Sequence, residues 1–263
     1  MNLCILNSSD MLQSLSRKDR RAQHILEVLK KKAGDRFRAG STDGLVGWAS
    51  LESITDERIV LRFIAEHPAP PLRPVRVMLG TVRPIQAARI VKELTTLGVS
   101  NIAFFPTELG EKSYTQSNFY VQKEYYMHAQ DGAEQAGNPR LPEIDLVWSL
   151  KKALEQVEHI EASEFTAPLQ QADGLQSVDG TLSPRTTKIV CHPDCAATPL
   201  SHMSLSGTPV ILAIGTERGW TEHELEQFLQ SGFALCALGD RILKTETAAA
   251  VAVSVVLARL GYF

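Results

Sequence analysis

Hydrophobic residues near the carboxyl terminus fall into short runs that alternate with polar turns containing glycine. Runs of this kind at residues 210–214 and 233–238 predict two buried strands. Each run leads through a glycine-bearing turn into a helical pattern, the first opened by Thr221 and the second beginning near Thr245. Because both turns follow strands and precede helices, we expect them at the same edge of a sheet, where open α/β sheets bind ligands. The pattern therefore predicts a small-molecule site between the two turns.

The last predicted helix has no polar side. Residues 248–258 contain one polar side chain, Ser254. Thr245 is predicted to cap this helix, and the charges of Glu246 in its first turn and Arg259 in its last turn suit the helix dipole. The helix is too short to span a bilayer, which takes about 20 residues. Without a water-facing side it belongs in the core or at a subunit interface, and the sequence leaves both open.

Strand and helix patterns alternate through the middle of the chain. Strands are predicted at residues 75–79, 101–105 and 188–191, and helices at residues 84–97, 121–136 and 146–157. Gly98 closes the first of these helices, and a polar connection without strand signals precedes residue 188. This alternation predicts a mostly parallel sheet with helices on both faces.

The first seventy residues follow a different pattern. A helix is predicted over residues 18–32, and short alternating segments follow at residues 36–38, 45–51 and 58–64. These segments predict a small β-rich module. A proline-rich stretch at residues 67–74 is expected to be a stiff linker that cannot continue a strand or helix.

Composition adds bounds on the class of protein. The chain has 263 residues, 44% of them hydrophobic, which is enough for one large or two ordinary globular domains. It carries no signal-peptide pattern and no apolar run of membrane length, so we expect a soluble cytoplasmic protein without membrane contact.

The cysteines are expected to be reduced structural thiols: Cys4, Cys191, Cys195 and Cys236. Cys191-His192-x-x-Cys195 lacks a second ligand pair at metal spacing, so we expect no metal.

Charge is unevenly distributed. The net charge is −3, yet residues 17–38 contain nine Lys or Arg and three Asp or Glu, a local charge of +6. A basic surface on an otherwise acidic protein is typical of a docking site for phosphates. Charge alone equally fits a solvated helix face.

The glycine motifs are weak one by one and specific in their order. Gly215-x-x-x-Gly219 is neither a dinucleotide-binding pattern nor a P-loop. In sequence order the motifs are Gly98-Val99, residues 134–142 (EQAGNPRLP), Cys191-His192-Pro193, residues 214–224 (IGTERGWTEHE) and residues 238–248 (LGDRILKTETA). This set resembles the family of 16S ribosomal RNA uracil-N3 methyltransferases, members of the knotted SPOUT superfamily that use S-adenosylmethionine. Residues 24–30 (HILEVLK) resemble a segment of that family's PUA-like RNA-binding barrel.

The resemblance implies both a fold and a function. The fold is α/β, with a PUA-like β-barrel over residues 1–72 and a SPOUT α/β domain with a trefoil knot over residues 73–263. The function is S-adenosylmethionine-dependent methylation of uracil N3 of a specific uridine in 16S rRNA. The implied partners are 16S rRNA of the small ribosomal subunit and a second copy of the chain in a homodimer.

The resemblance also implies site residues. Catalysis would fall to Arg241 and Lys244, a cationic pair beside the uracil oxygens. Glu246 would orient one of them, assist proton removal, or only stabilise the first helical turn. The positions that match cofactor motifs are His192, Ile214, Gly215, Glu217, Gly219, Leu238, Gly239, Ile242, Leu243 and Thr247. The candidates for RNA contact are Arg20, Arg21, His24, Arg36, Arg83, Lys92, Gln135 and Arg140.

The chain departs from the family pattern at several positions. Thr216 and Arg218 stand where the family has Pro and Gly, and Leu109 follows Glu108 where the family has Arg. Lys244 replaces an Arg and lacks the planar fork that binds a carbonyl or phosphate at two points. A cation at position 218 would repel a sulfonium if it faced the cofactor. Two alternatives therefore stay open: a non-catalytic RNA-binding relative, or a SPOUT methyltransferase for a different RNA base.

Overall fold

The computed structural model describes residues 3–8, 10–166, 186–193, 197–205 and 208–263. The chain divides into two compact units, Met1–Leu72 with Tyr126–Leu141, and Arg73–Tyr125 with Pro142–Phe263. The division after Leu72 coincides with the boundary predicted there, and residues 126–141 cluster with the first unit instead of the second. Cys195 and most of the polar connection predicted before residue 188 lie outside the described residues.

The first unit is built on a five-stranded sheet. Its strands are β1 (Cys4–Leu6), β2 (Leu12–Ser16), β3 (Arg36–Ser41), β4 (Leu45–Ile54) and β5 (Arg58–Pro68). Their order is β1–β3–β4–β5–β2, with β1 parallel to β3 and the other neighbours antiparallel. The three predicted strands are confirmed, and each is longer than predicted. Buried side chains such as Phe37, Leu51 and Leu61 form the core of this unit.

The helix predicted over residues 18–32 is shorter than expected. Helix α1 (Arg20–Gln23) begins after Asp19, whose side chain caps it, and continues as a π-helical turn over His24–Val28. Lys30 has a φ of 52°, a left-handed conformation that a right-handed helix does not contain. The helical stretch therefore ends before the basic run is complete.

The second unit is built on a parallel sheet of seven strands in the described part of the chain. These are β6 (Arg73–Gly80), β7 (Val99–Phe105), β8 (Glu143–Leu146), β9 (Thr187–Cys191), β10 (Thr198–Pro199), β11 (Val210–Ile214) and β12 (Ala234–Ala237). Their order is β10–β12–β9–β11–β6–β7–β8, and every neighbouring pair is parallel. The parallel sheet predicted from the sequence is confirmed.

Helices cover both faces of the parallel sheet. The described helices of the second unit are α2 (Pro84–Leu97), α3 (Asn118–Val121), α5 (Leu150–Thr166), α6 (Glu222–Gln230) and α7 (Thr245–Arg259), whereas residues 126–136 of α4 (Tyr125–Ala136) cluster with the first unit. Ile211 and Ala213 of β11 pack in one cluster with side chains of α5 and α6. Leu212 lies between them and points to the opposite face, because side chains alternate along a strand. Helix α7, which contacts β11 and β6, supplies no described side chain to that cluster and lies on the opposite face.

The stretch predicted as a linker is largely strand. β5 extends to Pro68 and β6 begins at Arg73, so only residues 69–72 connect them. Proline is tolerated near strand ends because its missing N–H falls where regular pairing stops, and the pairing of β6 with β7 shifts register between Arg73 and Arg76. The prediction that residues 67–74 cannot continue a strand was wrong.

Three helix boundaries also differ from the predictions. Residues 143–146 form strand β8, and α5 begins only at Leu150. The helix predicted over residues 121–136 is divided into α3 and α4 at Lys123, whose φ is 57°. Thr245 is the first residue of α7 and is buried, so it does not occupy the cap position predicted for it.

Helix α7 is covered on one side only within a single chain. Ala249, Ala252, Val253, Val256 and Leu257 are buried, whereas Ala250, Val251, Ser254 and Val255 are partly exposed. One side therefore belongs to the core, and the other is apolar and accessible. Within the described ranges no helix combines the length and apolar character that a membrane crossing needs.

Candidate functional site

A cavity of about 100 Å³ opens at the carboxyl ends of β9, β11 and β12. These strands are neighbours, and Cys191 at the end of β9 pairs with Ile214 on one side and Cys236 on the other. The two glycine-bearing turns that follow β11 and β12 therefore lie next to the end of β9, one on each side of it. The cavity is lined by Cys191, His192, Pro193, Ile214, Gly215, Thr216, Glu217, Gly219, Trp220, Leu238, Gly239, Arg241, Ile242, Leu243, Thr245 and Ala248.

The turn after β11 is held tightly in place. The Gly219 N–H donates to the Thr216 carbonyl at 3.0 Å, and Gly219 has a φ of 73°, which favours glycine. Trp220 is buried, stacks on Phe105 at a centroid distance of 6.0 Å, and donates its ring N–H to the Cys191 carbonyl at 3.1 Å. The indole thus fixes this turn to both the core and the end of β9.

Several buried polar atoms in or next to this site lack partners. His192 Nδ1, Thr216 Oγ1 and Glu246 Oε2 are buried and make no hydrogen bond within the described residues. His192 and Thr216 line the cavity. An unpaired buried polar atom costs about 1–3 kcal/mol, so such atoms are expected where a ligand completes the bonding. Apolar walls with a few convergent polar groups are typical of a small-molecule site.

Cys191 is a structural thiol at the cavity wall. Its Sγ lies 3.5 Å from Cys236 Sγ across the neighbouring strands. The hydrogen bond from Cys236 and burial hold the pKa of Cys191 well above its usual range, so the thiol stays protonated and is a poor nucleophile. In the part of the chain that the structure describes, no group of three or more His, Cys, Asp or Glu side chains could hold a metal ion.

The sequence-predicted cofactor positions fall mostly on this cavity. Nine of the ten line it: His192, Ile214, Gly215, Glu217, Gly219, Leu238, Gly239, Ile242 and Leu243. Thr247 is exposed on α7 and does not belong to the lining, whereas Thr245 and Ala248, three residues apart on one helix face, do. Four other lining residues were not predicted as cofactor positions, although all lie within the same motifs: Cys191, Pro193, Thr216 and Trp220.

The three predicted catalytic residues occupy different positions. Arg241 is exposed and lines the cavity. Lys244 is exposed just before α7, and Glu246 is partly buried in the first turn of that helix; neither belongs to the lining.

A second cavity of about 300 Å³ shares Thr216 and Glu217 with the first. Its lining is Arg83, Gln86, Leu109, Gly110, Glu111, Tyr114, Thr216, Glu217 and Arg218. Arg218 lines this second cavity and, among the described residues, is not part of the first. The bulky cation that replaces the family glycine therefore does not fill the predicted cofactor cavity.

Two of the arginines predicted to contact RNA, Arg20 and Arg21 in the first unit, differ in how far their side chains are exposed to solvent. Arg20 is half exposed and forms ion pairs with Asp131 at 2.5 Å and Glu134 at 3.0 Å. Arg21 is buried, and its guanidinium donates to Asp19 at 2.7 Å and Asn7 at 2.8 Å. Arg21 is thus committed to internal contacts, in contrast to the RNA contact predicted for it.

The other predicted RNA contacts have separate environments. His24 Nε2 is buried without a partner in the described residues, and burial lowers the pKa of this histidine. Arg36 is exposed and lies 5.2 Å above the Trp48 ring. Arg140 donates to the Ala69 carbonyl at 3.2 Å. The remaining candidates are exposed, Gln135 in the first unit and Arg83 and Lys92 in the second.

Comparison with known proteins identifies one family. A family model described as RNA methyltransferase domain matches residues 68–257. Ribosomal RNA small subunit methyltransferase E of Treponema pallidum is 34% identical over 262 residues, 98% of this chain and 91% of the relative. Ribosomal RNA small subunit methyltransferase E 1 of Borreliella burgdorferi is 28% identical over 262 residues, 98% of each chain.

A solved structure agrees with the sequence matches. The crystal structure of ribosomal RNA small subunit methyltransferase E from Neisseria gonorrhoeae bound to S-adenosyl methionine has a TM-score of 0.75 and 19% sequence identity over 98% of both chains. The chain therefore has the same fold as that protein. By family-model match and by full-length sequence identity, the chain belongs to the RNA methyltransferases and, among them, to the ribosomal RNA small subunit methyltransferase E family.

Proposed function

We propose that this protein is an S-adenosylmethionine-dependent methyltransferase that modifies N3 of a uridine in the 16S rRNA of the small ribosomal subunit. The observation that carries the proposal is the cavity at the ends of β9, β11 and β12, which brings together nine of the ten positions matching the family's cofactor motifs. The names of the full-length relatives and the S-adenosyl methionine bound to the Neisseria gonorrhoeae protein support it.

The residues of the cavity fit this cofactor. Ile214, Leu238 and Leu243 offer apolar surface for an adenine ring, and the unpartnered Nδ1 of His192 offers a hydrogen bond to the polar part of the cofactor. A side chain at Gly215 would approach the Gly219 backbone and the Trp220 ring to 3.3 Å, so glycine keeps this wall open. When bound, S-adenosylmethionine supplies an electrophilic methyl group on a sulfonium.

The protein's own task is to make uracil N3 a nucleophile. N3 must lose its proton, and the negative charge then spreads onto the uracil oxygens. Arg241 lines the cavity and is proposed to donate to one of these oxygens, a contact worth about 3–4 kcal/mol in the transition state. Lys244 is proposed to supply a second positive charge. Glu246, with one buried unpartnered oxygen, is proposed to accept the proton or to orient a cation.

The finer architecture is proposed on the same basis. Residues 1–72 would form a PUA-like RNA-binding barrel and residues 73–263 a SPOUT domain with a trefoil knot. The flanking of β9 by β11 and β12, which are joined through α6, supports a non-sequential carboxyl-terminal topology. The partly exposed apolar side of α7 supports a homodimer. A ribosomal substrate supports a cytoplasmic location.

Methyl transfer to isolated ribosomal subunits tests the proposal. The protein is incubated with labelled S-adenosylmethionine and 30S subunits from a strain lacking the enzyme, and the modified nucleotide is identified by nuclease digestion and mass spectrometry. We expect 3-methyluridine at one position. Arg241→Ala should lower kcat by about 10²–10³, the loss expected for one oxyanion donor.

Two results would reject this function. Label in a different base would support a SPOUT methyltransferase of another specificity. Calorimetry that detects no S-adenosylmethionine binding would leave a non-catalytic RNA-binding relative, although the position of Arg218 outside the first cavity's lining argues against that alternative.

A further inference from the structure

The second cavity contains polar atoms that nothing in the described chain satisfies. Gln86 Oε1 and Thr216 Oγ1 are both buried and unpartnered, and both residues line this cavity of about 300 Å³. Thr216 is only 7% exposed. An amide side chain and a hydroxyl side chain in the lining of one cavity can together bind a ligand that offers both hydrogen-bond donors and acceptors.

The charges around the cavity are balanced. Two exposed guanidiniums, of Arg83 and Arg218, are set against the carboxylates of Glu111 and Glu217. Glu111 Oε1 already accepts hydrogen bonds from the Ser113 N–H at 3.4 Å and hydroxyl at 3.2 Å. This balance does not favour an isolated phosphate in the recess. It favours a neutral heterocycle inside, with a phosphate beside the exposed cations.

Arg83 is one of the two positive charges at this cavity. Its pKa lies above the usual range because of the Tyr114 hydroxyl beside it and the Glu217 carboxylate. The Tyr114 ring and the Leu109 side chain add apolar and aromatic surface, which suits the face of a base.

The two departures at positions 109 and 218 concern the same cavity. Leu109 stands where the family pattern has an arginine, and Arg218 stands where it has a glycine. Both residues line the second cavity. In this chain the second guanidinium at the cavity therefore comes from Arg218 and not from position 109.

We propose that the second cavity is a nucleotide subsite for the RNA substrate, in which the Gln86 amide and Thr216 hydroxyl bind a base and Arg218 binds an adjacent phosphate. The inference rests on the proposed function, because it takes RNA as the substrate. The shared residues Thr216 and Glu217 put this subsite next to the proposed cofactor cavity. Arg218 would be an RNA-binding residue of this chain rather than an obstacle to the cofactor.

Paired arginine variants test the subsite. Arg218→Ala is compared with Arg89→Ala, since Arg89 is an exposed α2 residue outside both linings. We expect Arg218→Ala to weaken 30S-subunit binding about tenfold, the effect of one charge-assisted hydrogen bond. The slope of log affinity against log salt should fall by about one. The affinity for S-adenosylmethionine, measured by calorimetry, should match that of the wild type.

Three further variants test whether the cavity as a whole, and not position 218 alone, binds the RNA. Arg218→Gly combined with Leu109→Arg should recover most of the RNA affinity that Arg218→Gly alone loses. Gln86→Leu should weaken RNA binding without a change in the salt slope, because it removes a base contact and no charge.

Several outcomes would overturn the subsite. They are equal RNA binding by Arg218→Ala and Arg89→Ala, tighter S-adenosylmethionine binding by Arg218→Ala, or no recovery in a folded double variant. RNA binding is measured without turnover, so these outcomes differ from a failure of the proposed function. If the proposed function itself fails, the wild-type protein transfers no methyl group to 30S subunits.

Discussion

The side chain of Glu224, in α6, is hydrogen-bonded to the backbone of Glu108, which lies beyond the end of β7. One carboxylate oxygen of Glu224 accepts the Glu108 N–H at 2.9 Å, and the other accepts the Thr221 N–H at 2.9 Å. Thr221 in turn accepts the Glu224 N–H at 3.1 Å and donates its hydroxyl to the Glu108 carboxylate at 2.7 Å. A single buried carboxylate thus joins the loop that forms one wall of the second cavity to the start of α6.

Replacing Glu224 by Gln should destabilise the second unit. Glu224 is only 2% exposed, and an amide can no longer accept at both ends, so the N–H of either Glu108 or Thr221 loses its partner. The expected cost is about 1–3 kcal/mol in the free energy of unfolding, measured by urea denaturation. Glu226→Gln on the exposed side of the same helix is the control and should change stability by less than about 0.5 kcal/mol. Equal effects of the two changes would contradict the proposed linkage.

The ion pair between His223 and Glu108 should make stability depend on pH. His223 Nδ1 lies 2.7 Å from Glu108 Oε1, and this hydrogen bond and the charge of Glu108 raise the pKa of His223. A raised pKa means that the stabilisation is complete below the unfolded pKa of about 6.5 and is lost as pH rises through the folded value. The stability advantage of the wild type over His223→Gln should therefore shrink as pH rises above about 6.5. Urea denaturation over a pH series measures the difference in unfolding free energy between the two proteins. A difference that stays constant with pH would refute the contribution of the His223–Glu108 ion pair.

Much of the parallel sheet could be predicted from local sequence pattern. The strand at residues 210–214, the helix at residues 84–97 and its end at Gly98 were predicted at the positions observed. Each of these depends on burial and turn chemistry within a few residues. The errors arose where a contact distant in sequence decides the structure: β8 pairs with β7, so Leu146 ends a strand and does not begin the helix predicted over residues 146–157.

The first cavity could be predicted, whereas the second could not. The first forms at the ends of adjacent parallel strands, and the glycines of the two turns mark it in the sequence. The second brings Leu109 and Tyr114 to Arg218 across more than a hundred residues, and their meeting depends on the order β9–β11–β6–β7. The direction of the Arg218 side chain likewise depends on the fold of its turn, which no residue pattern specifies.

Gly239 should be required for the shape of the first cavity. It has a φ of 110°, and an added Cβ would meet nothing within 4 Å, so Gly239→Ala acts through backbone strain alone. The backbone strain is expected to be about 1–3 kcal/mol. Because the turn relieves part of this strain by moving, the cavity changes shape and S-adenosylmethionine should bind more weakly. Gly261→Ala is the matched control, since Gly261 has a φ of 80°, equally open surroundings and no place in the lining. Calorimetry that finds the same cofactor affinity for both variants would contradict the prediction.

The accessible side of α7 should mediate self-association. Val251 and Val255 lie one turn apart on a side where Ala250 and Ser254 are also only partly buried, and this surface carries no charge that would favour water. Placing a carboxylate there by Val251→Glu should convert a dimer to a monomer, because an unpaired charge would be buried at the interface. Sedimentation velocity at several concentrations measures the change, with Leu229→Glu on the exposed side of α6 as the control. A wild-type monomer, or a Val251→Glu dimer as stable as the control, would exclude this side of α7 as the interface.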